Sequence, residues 1–478
     1  MAKLYSRRAF LRVAAAGAAG ALLAACQPKV VEVTKVVEKV VKETVIVEGE
    51  VKIVEKIVKE TVIVEKEVKP AAPEEKLVRV LLASWALGEI PFDRTAREFS
   101  DSHPGIKVVV QSTFEGWTTK VMAQISDGTL EWSGCGIMST DYHPMLWVRM
   151  GLVQPMDDFV AASQEPGASE LLSDMIPTIR QAGMVEGKLY GIPYSFENCT
   201  FNWRTDYFNA IGVTEAPESW DEWMEVALEL KKWGADEQIY PTSFVSDMIT
   251  TMQGLLCAAS TKPYTAEGLV DWTGPDSIEV LKFFKKMIVE LEVTPPHGHD
   301  GWLDSFYAGK VASVHAQSSR GVWGQNAFGT DKCTTSPIIP KVKGGGSGAP
   351  YWGNDMSVLS KAPYPQEVVD YYIYTMGPQN VGFQETVIKT GKTPVYNSAY
   401  EKIIEGDPKF GIYKWMIAMR EDVERAIPLP QTTWIDIQYT AYNKHIIPFT
   451  DPGSTMTADE CAQLILKDVE EEIAKQKA

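Results

Sequence analysis

Two patterns of apolar and polar residues divide the chain. Residues 30–68 are almost entirely Val, Ile, Glu, Lys and Thr, and valines at 30, 33, 37, 40, 47, 51, 54 and 58 keep a three-four spacing. That spacing suits a helical, even oligomerising, seam, whereas the β-branched content favours extended backbone. Residues 37–48 recur as 54–65, a repeat of seventeen. From residue 77 the pattern changes. The run 77–83 is apolar with one charge, the signature of a buried strand. Residues 91–101 read as a helix and 105–111 as a second strand; 117–126 place Val121, Met122 and Ile125 on one helical face. A third strand is expected at 136–138. Alternation of strands and helices predicts a mostly parallel α/β sheet.

The N-terminus carries a different signal. Val13 to Ala25 is an apolar run of small residues, too short to span a bilayer, which takes roughly 20. It fits the core of a signal peptide. Arg7 and Arg8 stand in Ser-Arg-Arg-Ala-Phe-Leu-Arg, which resembles the twin-arginine export consensus. Leu23-Ala-Ala-Cys26 resembles a bacterial lipobox, whose cysteine receives lipid; stable anchoring takes more than one acyl chain. The expected protein is exported, held on the outer face of the membrane through Cys26, with residues 27–76 as a stalk ending in Pro70-Ala-Ala-Pro73. The stalk is expected to be a tether, spanning roughly 60 Å as a helix and about twice that if extended.

Beyond the stalk about 400 residues remain, which suggests two lobes. They hold 32 basic and 52 acidic side chains, a net of −20. Such a domain is repelled by nucleic acid and by anionic membrane surfaces. The five cysteines besides Cys26 (135, 199, 257, 333 and 461) show no CxxC or zinc spacing, and are expected to be small buried hydrophobes. His297-Gly-His-Asp300 is read as a turn, so no metal and no cofactor are expected. HExxH, G-x-S-x-G and P-loop motifs are absent from the sequence, and the protein is not expected to be an enzyme.

Several segments resemble one family in that family's order. His103-Pro-Gly-Ile-Lys-Val-Val-Val110 follows the first strand and helix. Gly187-Lys-Leu-Tyr-Gly-Ile-Pro-Tyr194 comes next, then Phe201 to Gly212 followed by Pro217-Glu-Ser-Trp-Asp-Glu-Trp223. Phe306-Tyr-Ala-Gly-Lys-Val-Ala312 with Gly321-Val-Trp323, and Gly391-Lys-Thr-Pro394, complete the series. Together they resemble extracellular solute-binding proteins of bacterial ABC importers, the sugar-binding type, over residues 78–475. The chain departs from the family pattern at 127–137, where the usual Pro-Asp pair is missing. The resemblance implies a two-lobe α/β periplasmic-binding-protein fold of type II. One lobe takes 77–195 and 356–390, the other 196–355 and 391–478, with crossover strands at 193–197 and 353–357. Ligand is expected between the lobes, closing a hinge that the importer senses.

A sugar offers an apolar C–H face to aromatic rings and a rim of hydroxyls to carboxylates and amides. Residues near strand ends and crossovers are therefore the candidates. They are Trp85 and Glu89 after the first strand, Asp141 and Tyr142 after the third, and Glu197 with Asn198 at the first crossover. Arg320 and Trp323 follow in the second lobe, then Trp352, Asn354 and Asp355 at the second crossover, and Trp434 at a late helix start. Asp141 reads equally as a helix cap, Asn354 and Asp355 as a turn, and Arg320 as a surface ion pair or an anion hook. Trp203, Trp220 and Trp223 are expected to pack inside. The expected function is a lipid-anchored, monomeric binder that passes a sugar or oligosaccharide to ABC importer permease subunits. A polyamine, a peptide or a sugar phosphate is the alternative ligand, and a surface carbohydrate-active enzyme the alternative class.

Overall fold

The computed structural model describes residues 29–47, 50–68, 75–138, 144–244, 251–295, 302–346, 348–349, 351–427 and 432–477. The expected export and lipidation residues Arg7, Arg8 and Cys26, the candidates Asp141 and Tyr142, and the His297–Asp300 turn lie outside them. The chain divides into two compact units, Met1–Glu75 and Lys76–Ala478. Among the described residues no helix is long and apolar enough to cross a membrane.

In the first unit the stalk is neither a helix nor a linear tether. Strands β1 (Lys29–Val47) and β2 (Glu50–Val68) form one antiparallel hairpin. The β-branched residues prevail over the three-four spacing because the two repeat copies can pair along their length, with Val37 opposite Glu60 and Glu43 opposite Val54. The register also sets Glu38 opposite Lys59 and Lys42 opposite Glu55. Each strand is about 60 Å long at ~3.3 Å per residue. Lys29 is paired with Val68, so the hairpin returns to its starting point and adds almost no reach between its ends. The expectation of a spacer 60 Å or more in span is corrected.

The second unit is built on strands β3 (Lys76–Leu82), β4 (Ile106–Ser112), β5 (Gly134–Met138), β6 (Val153–Gln154), β7 (Met184–Val185), β8 (Lys188–Leu189), β9 (Ile192–Trp203), β10 (Ser243–Phe244), β11 (Ser313–Gln317), β12 (Thr334–Pro337) and β13 (Tyr351–Leu359). Nine of them run in the order β10-β11-β9-β13-β5-β3-β4, with β12 beside β9 and β6 beside β13. The expected parallel pairing is present in β3 with β4 and β5, and β10 with β11 is parallel as well. β9 and β13 run antiparallel to their neighbours, so the sheet is mixed: these two strands pass between the lobes and return against the local direction.

The first lobe packs helices α1 (Ser84–Glu89), α2 (Phe92–Ser102) and α3 (Trp117–Asp127) on this sheet. Val78, Val80 and Leu82 point to one side, with Phe92, Phe99, Tyr371 and Tyr372. Leu81 and Cys135 point to the other, with Val121, Ile125 and Trp147. This is the two-residue alternation of a strand covered on both faces. The departure from the family pattern at 127–137 has a packing correlate. A Cβ on Gly134 would stand 1.9 Å from the Tyr372 hydroxyl and 3.0 Å from the Ser357 carbonyl, so the strand can approach this closely only as glycine.

The second lobe has its own core. Helix α4 (Trp220–Trp233) starts where the Ser219 hydroxyl accepts the Glu222 N–H, and it turns Trp220, Trp223, Ala227 and Leu230 inward. Trp203, Trp220 and Trp223 are buried there, as expected. Helix α5 (Ser319–Phe328) follows β11. The five cysteines are all buried. The boundary between lobes differs from the expected 391. Residues Val395, Tyr396, Tyr400, Ile404, Phe410, Met416 and Val423 join the first core, whereas Ile435, Tyr442, Ile465 and Val469 join the second. Helix α6 (Trp415–Arg425) therefore belongs with the first lobe. Its apolar stripe meets a core that no local signal in the sequence identifies.

Candidate functional site

β9 is the backbone of the junction. Its first half pairs with β13 and its second half with β11 and β12, so the strand changes lobes near Glu197 and Asn198. Strand alternation sends these two neighbours to opposite sides. Asn198 is fully buried, and its Nδ2 donates to the Met419 carbonyl of α6 at 3.2 Å. Glu197, 7% exposed, faces α5, and its Oε1 accepts the Ser319 N–H at 3.4 Å. The first turn of a helix carries unpaired N–H groups and partial positive charge, which favours a carboxylate here.

A third crossing completes this side. Thr393 exchanges two backbone hydrogen bonds with Phe196, at 2.9 and 3.0 Å. Two residues earlier, Gly391 takes φ +86°, and a Cβ there would stand 2.8 Å from Ser319 Cα and 3.0 Å from Val322 Cβ. Only glycine lets this crossing rest on α5. Lys392 then turns back to the first lobe. It is buried, forms an ion pair with Glu89 and sits 5.0 Å from the Trp85 ring centroid. Trp85 and Glu89 are thus joined through a lysine that was not among the sequence-derived candidates. The signal was the Gly391–Pro394 motif itself, read for family likeness and not for its charge.

On α5, Arg320 and Trp323 lie one turn apart. The Arg320 guanidinium carbon is 4.2 Å from the Trp323 ring centroid, and Arg320 Nε donates to Gln317 Oε1 at 3.4 Å. Trp323 is 37% exposed, and Tyr307 lies with its ring centroid 6.3 Å away. Burial pushes the Tyr307 hydroxyl up to about 12, with Arg320 acting against it. Gly321 and Gly324, on the other side of the helix, pack on Thr335 and Cys333. The arginine and the tryptophan are therefore left on the open face.

The second-crossover candidates are placed differently from the open positions expected of them. Asn354 and Asp355 lie inside β13, not in a turn, and both are buried. Asn354 Nδ2 donates to Ser195 Oγ at 2.8 Å, which brings it to the Glu197 side of β9. The register shift between the two residues puts Asp355 opposite Pro193, against the backbone of Gly191. Burial pushes the Asp355 carboxyl up from 3.8 to about 8. Trp352 pairs with Glu197 through the backbone; its side chain is outside the described residues. Trp434 caps the helix Ile435–Thr450, with its N–H on Thr432 Oγ1 at 3.2 Å and Lys477 Nζ 5.6 Å from its ring. Arg149 of the first lobe donates to neighbouring Thr433 at 3.5 Å, so this turn also borders the junction. No described contact joins it to the Glu197 group.

A cavity of 610 Å³ opens on the Asn198 side, lined in part by Glu218, Ile338, Lys343, Asp422 and Arg425. None of the described sequence-derived candidates is among its lining residues.

Residues 94–411 match the family of bacterial extracellular solute-binding proteins. Among characterised sequences, a Brucella abortus protein and a Brucella suis protein, each described as a binding protein, are 23% identical over 216 residues, 44% of this chain. The chain thus spans about half the length of these curated relatives, 50% of each. Solved structures share the fold at low identity. An ABC substrate-binding protein of Listeria monocytogenes, in complex with cycloalternan, superposes with a TM-score of 0.67 at 16% identity, over 84% of this chain and 100% of that one. The sugar-binding protein MalE of Xanthomonas citri gives 0.67 at 15%, over 84% and 98%. The maltotriose-binding protein of Thermus thermophilus, with maltotriose bound, gives 0.63 at 17%, over 84% and 100%. With two-thirds of its length matched in sequence and its two-lobe fold matched in structure, this chain belongs to the bacterial extracellular solute-binding proteins.

Proposed function

We propose that the protein captures a sugar or small oligosaccharide between its lobes and delivers it to an ABC importer, as an exported receptor anchored through Cys26. The observation that carries this reading is the arrangement on the Glu197 side of β9. One half-exposed tryptophan, Trp323, stands on the second lobe and another, Trp85, on the first. Glu197 meets the first turn of the helix that carries Trp323, Asn354 bonds to Ser195 on the same side of β9, and Lys392 contacts Trp85. Rings suit the apolar face of a sugar, and the polar groups suit its hydroxyls. Bringing the lobes together around the ligand excludes water from both sets. The relatives with cycloalternan and maltotriose bound are carbohydrate binders by their own descriptions, which agrees with this choice of ligand class.

The test is a thermal-shift screen of the purified chain against mono- and oligosaccharides, polyamines, peptides and sugar phosphates. Ligand at 100 times its Kd adds about 2.7 kcal/mol of stability. A shift with one carbohydrate series, and recovery of that carbohydrate intact, supports the reading. Shifts confined to polyamines or peptides overturn the sugar, and turnover of the ligand overturns the binder.

A further inference from the structure

The charges around the junction are compensated unequally. Lys392 is paired with Glu89. Glu197 rests on the N-terminus of α5 through Ser319. Arg320, the residue after Ser319, makes no ion pair among the described residues; its 3.4 Å hydrogen bond to Gln317 and its contact with the Tyr307 hydroxyl are both to neutral groups. Its guanidinium lies against the Trp323 ring and beside the Tyr307 hydroxyl. This is a held cation in a domain that is otherwise strongly acidic. It stands on the same helix as the exposed Trp323 and against its ring.

We infer that the ligand carries a carboxylate, and that Arg320 reads it. The inference rests on the proposal that the site takes carbohydrate, and it narrows that class to acidic sugars, uronates and their oligomers. Three physical arguments lead there. Closing the lobes removes water from Arg320, and a guanidinium buried without an anion is costly. A neutral sugar leaves that cost standing, while a carboxylate cancels it. The planar fork of arginine matches the two carboxylate oxygens, and stacking on Trp323 already holds it. One uncompensated guanidinium balances one negative charge. A phosphate, with close to two, would keep an excess in a domain already strongly acidic. The sugar ring bearing the carboxylate would lie along Trp323 with its acid toward Arg320.

The experiment is calorimetric titration of the purified chain, and of the variants Arg320→Gln and Arg320→Lys, with three ligand sets. These are neutral oligosaccharides, the corresponding uronate oligosaccharides and sugar phosphates. Wild type is expected to favour the uronate over its neutral counterpart by at least tenfold, with affinity falling as salt is raised. In R320Q the ratio is expected to drop to near one, and R320K is expected to retain part of it. Unfolding midpoints of the three proteins confirm that each is folded. Equal or better binding of neutral sugars by wild type overturns the inference and leaves the carbohydrate reading in place. So does an unchanged uronate-to-neutral ratio in R320Q, which would make Arg320 a support for Trp323 only. A preference for sugar phosphates overturns the carboxylate. Failure of every carbohydrate to bind overturns the carbohydrate reading together with this one.

Discussion

Lys392 and Glu89 form an ion pair across more than three hundred residues of chain, and the two partners are unequally buried: their side chains are 5% and 28% exposed. The pair ties the third crossing to α1 and, through the Trp85 ring, fixes one aromatic of the candidate site. Breaking such a pair costs most when the orphaned charge cannot reach water. Glu89→Gln strands the more buried Lys392 and is expected to cost about 3 kcal/mol. Lys392→Met leaves Glu89 access to solvent and is expected to cost nearer ~1 kcal/mol. Urea unfolding of both variants checks the order; a larger loss in Lys392→Met would mean that the lysine stem, not the charge pair, holds the crossing.

Glu197 and Asn198 are adjacent in sequence and face opposite sides of β9. Glu197→Gln is expected to weaken ligand binding by at least ~1 kcal/mol, the scale of a hydrogen bond to a charged group, with little change in unfolding. Asn198→Ala removes a buried bond to α6 and is expected to lower stability by about 1–2 kcal/mol. Paired measurements of affinity and unfolding midpoint separate the two. Equal effects of both substitutions on both quantities would show that β9 does not divide the site from the scaffold.

Asp355 makes stability depend on pH in an unusual direction. Because burial raises its pKa to about 8, the native protein keeps a proton that the unfolded chain releases above pH 4. Stability therefore falls as pH rises from about 4 to 8, by at most ~1.4 kcal/mol per pH unit from one group. Asp422, held at about 6 by burial against the pull of the Ala349 N–H and Arg425, adds to the slope only in the lower half of that window. Asp355→Asn is expected to flatten the upper half and to exceed wild type in stability above pH 8. Parallel curves for the two proteins from pH 6 to 9 would refute the assignment.

Trp323 and Trp223 test whether exposure separates binding from packing. Trp223 is 1% exposed in the second core, and its replacement by Ala is expected to cost about 3–5 kcal/mol. Trp323→Ala, at 37% exposed, is expected to change stability by no more than ~0.5 kcal/mol and to weaken ligand by at least ~1 kcal/mol. Ligand affinity unaffected by Trp323→Ala would remove that ring from the site.

Much of this protein was legible from local pattern. The opening strand-helix-strand-helix run lies within one or two residues of where periodicity placed it, because buried strands and amphipathic helices are specified by neighbours in sequence. Trp203, Trp220 and Trp223 were readable as core from the family-like motif they stand in, and they are buried. The stalk shows where local pattern is silent: a three-four valine spacing and β-branched composition pointed to different structures. Pairing between two copies of the repeat decided for strands, and a hairpin that folds back cannot be inferred from either copy alone.

The tertiary structure decided the rest. That residues 395–426 serve the first lobe depends on a core assembled from segments more than three hundred residues apart. That Glu197 faces the candidate site and Asn198 the scaffold depends on what lies on each side of β9. Lys392 became a candidate only when the third crossing rested on α5 through Gly391 and turned its neighbour toward Glu89. Asp355 had the residue type of a hydroxyl acceptor but is enclosed by the register of β13. Sequence by itself determined which segments could be buried and in what conformation, since burial and backbone preference are local properties. Which polar groups meet at the junction was decided by chain crossings, since a hydrogen bond or ion pair requires both partners in one place.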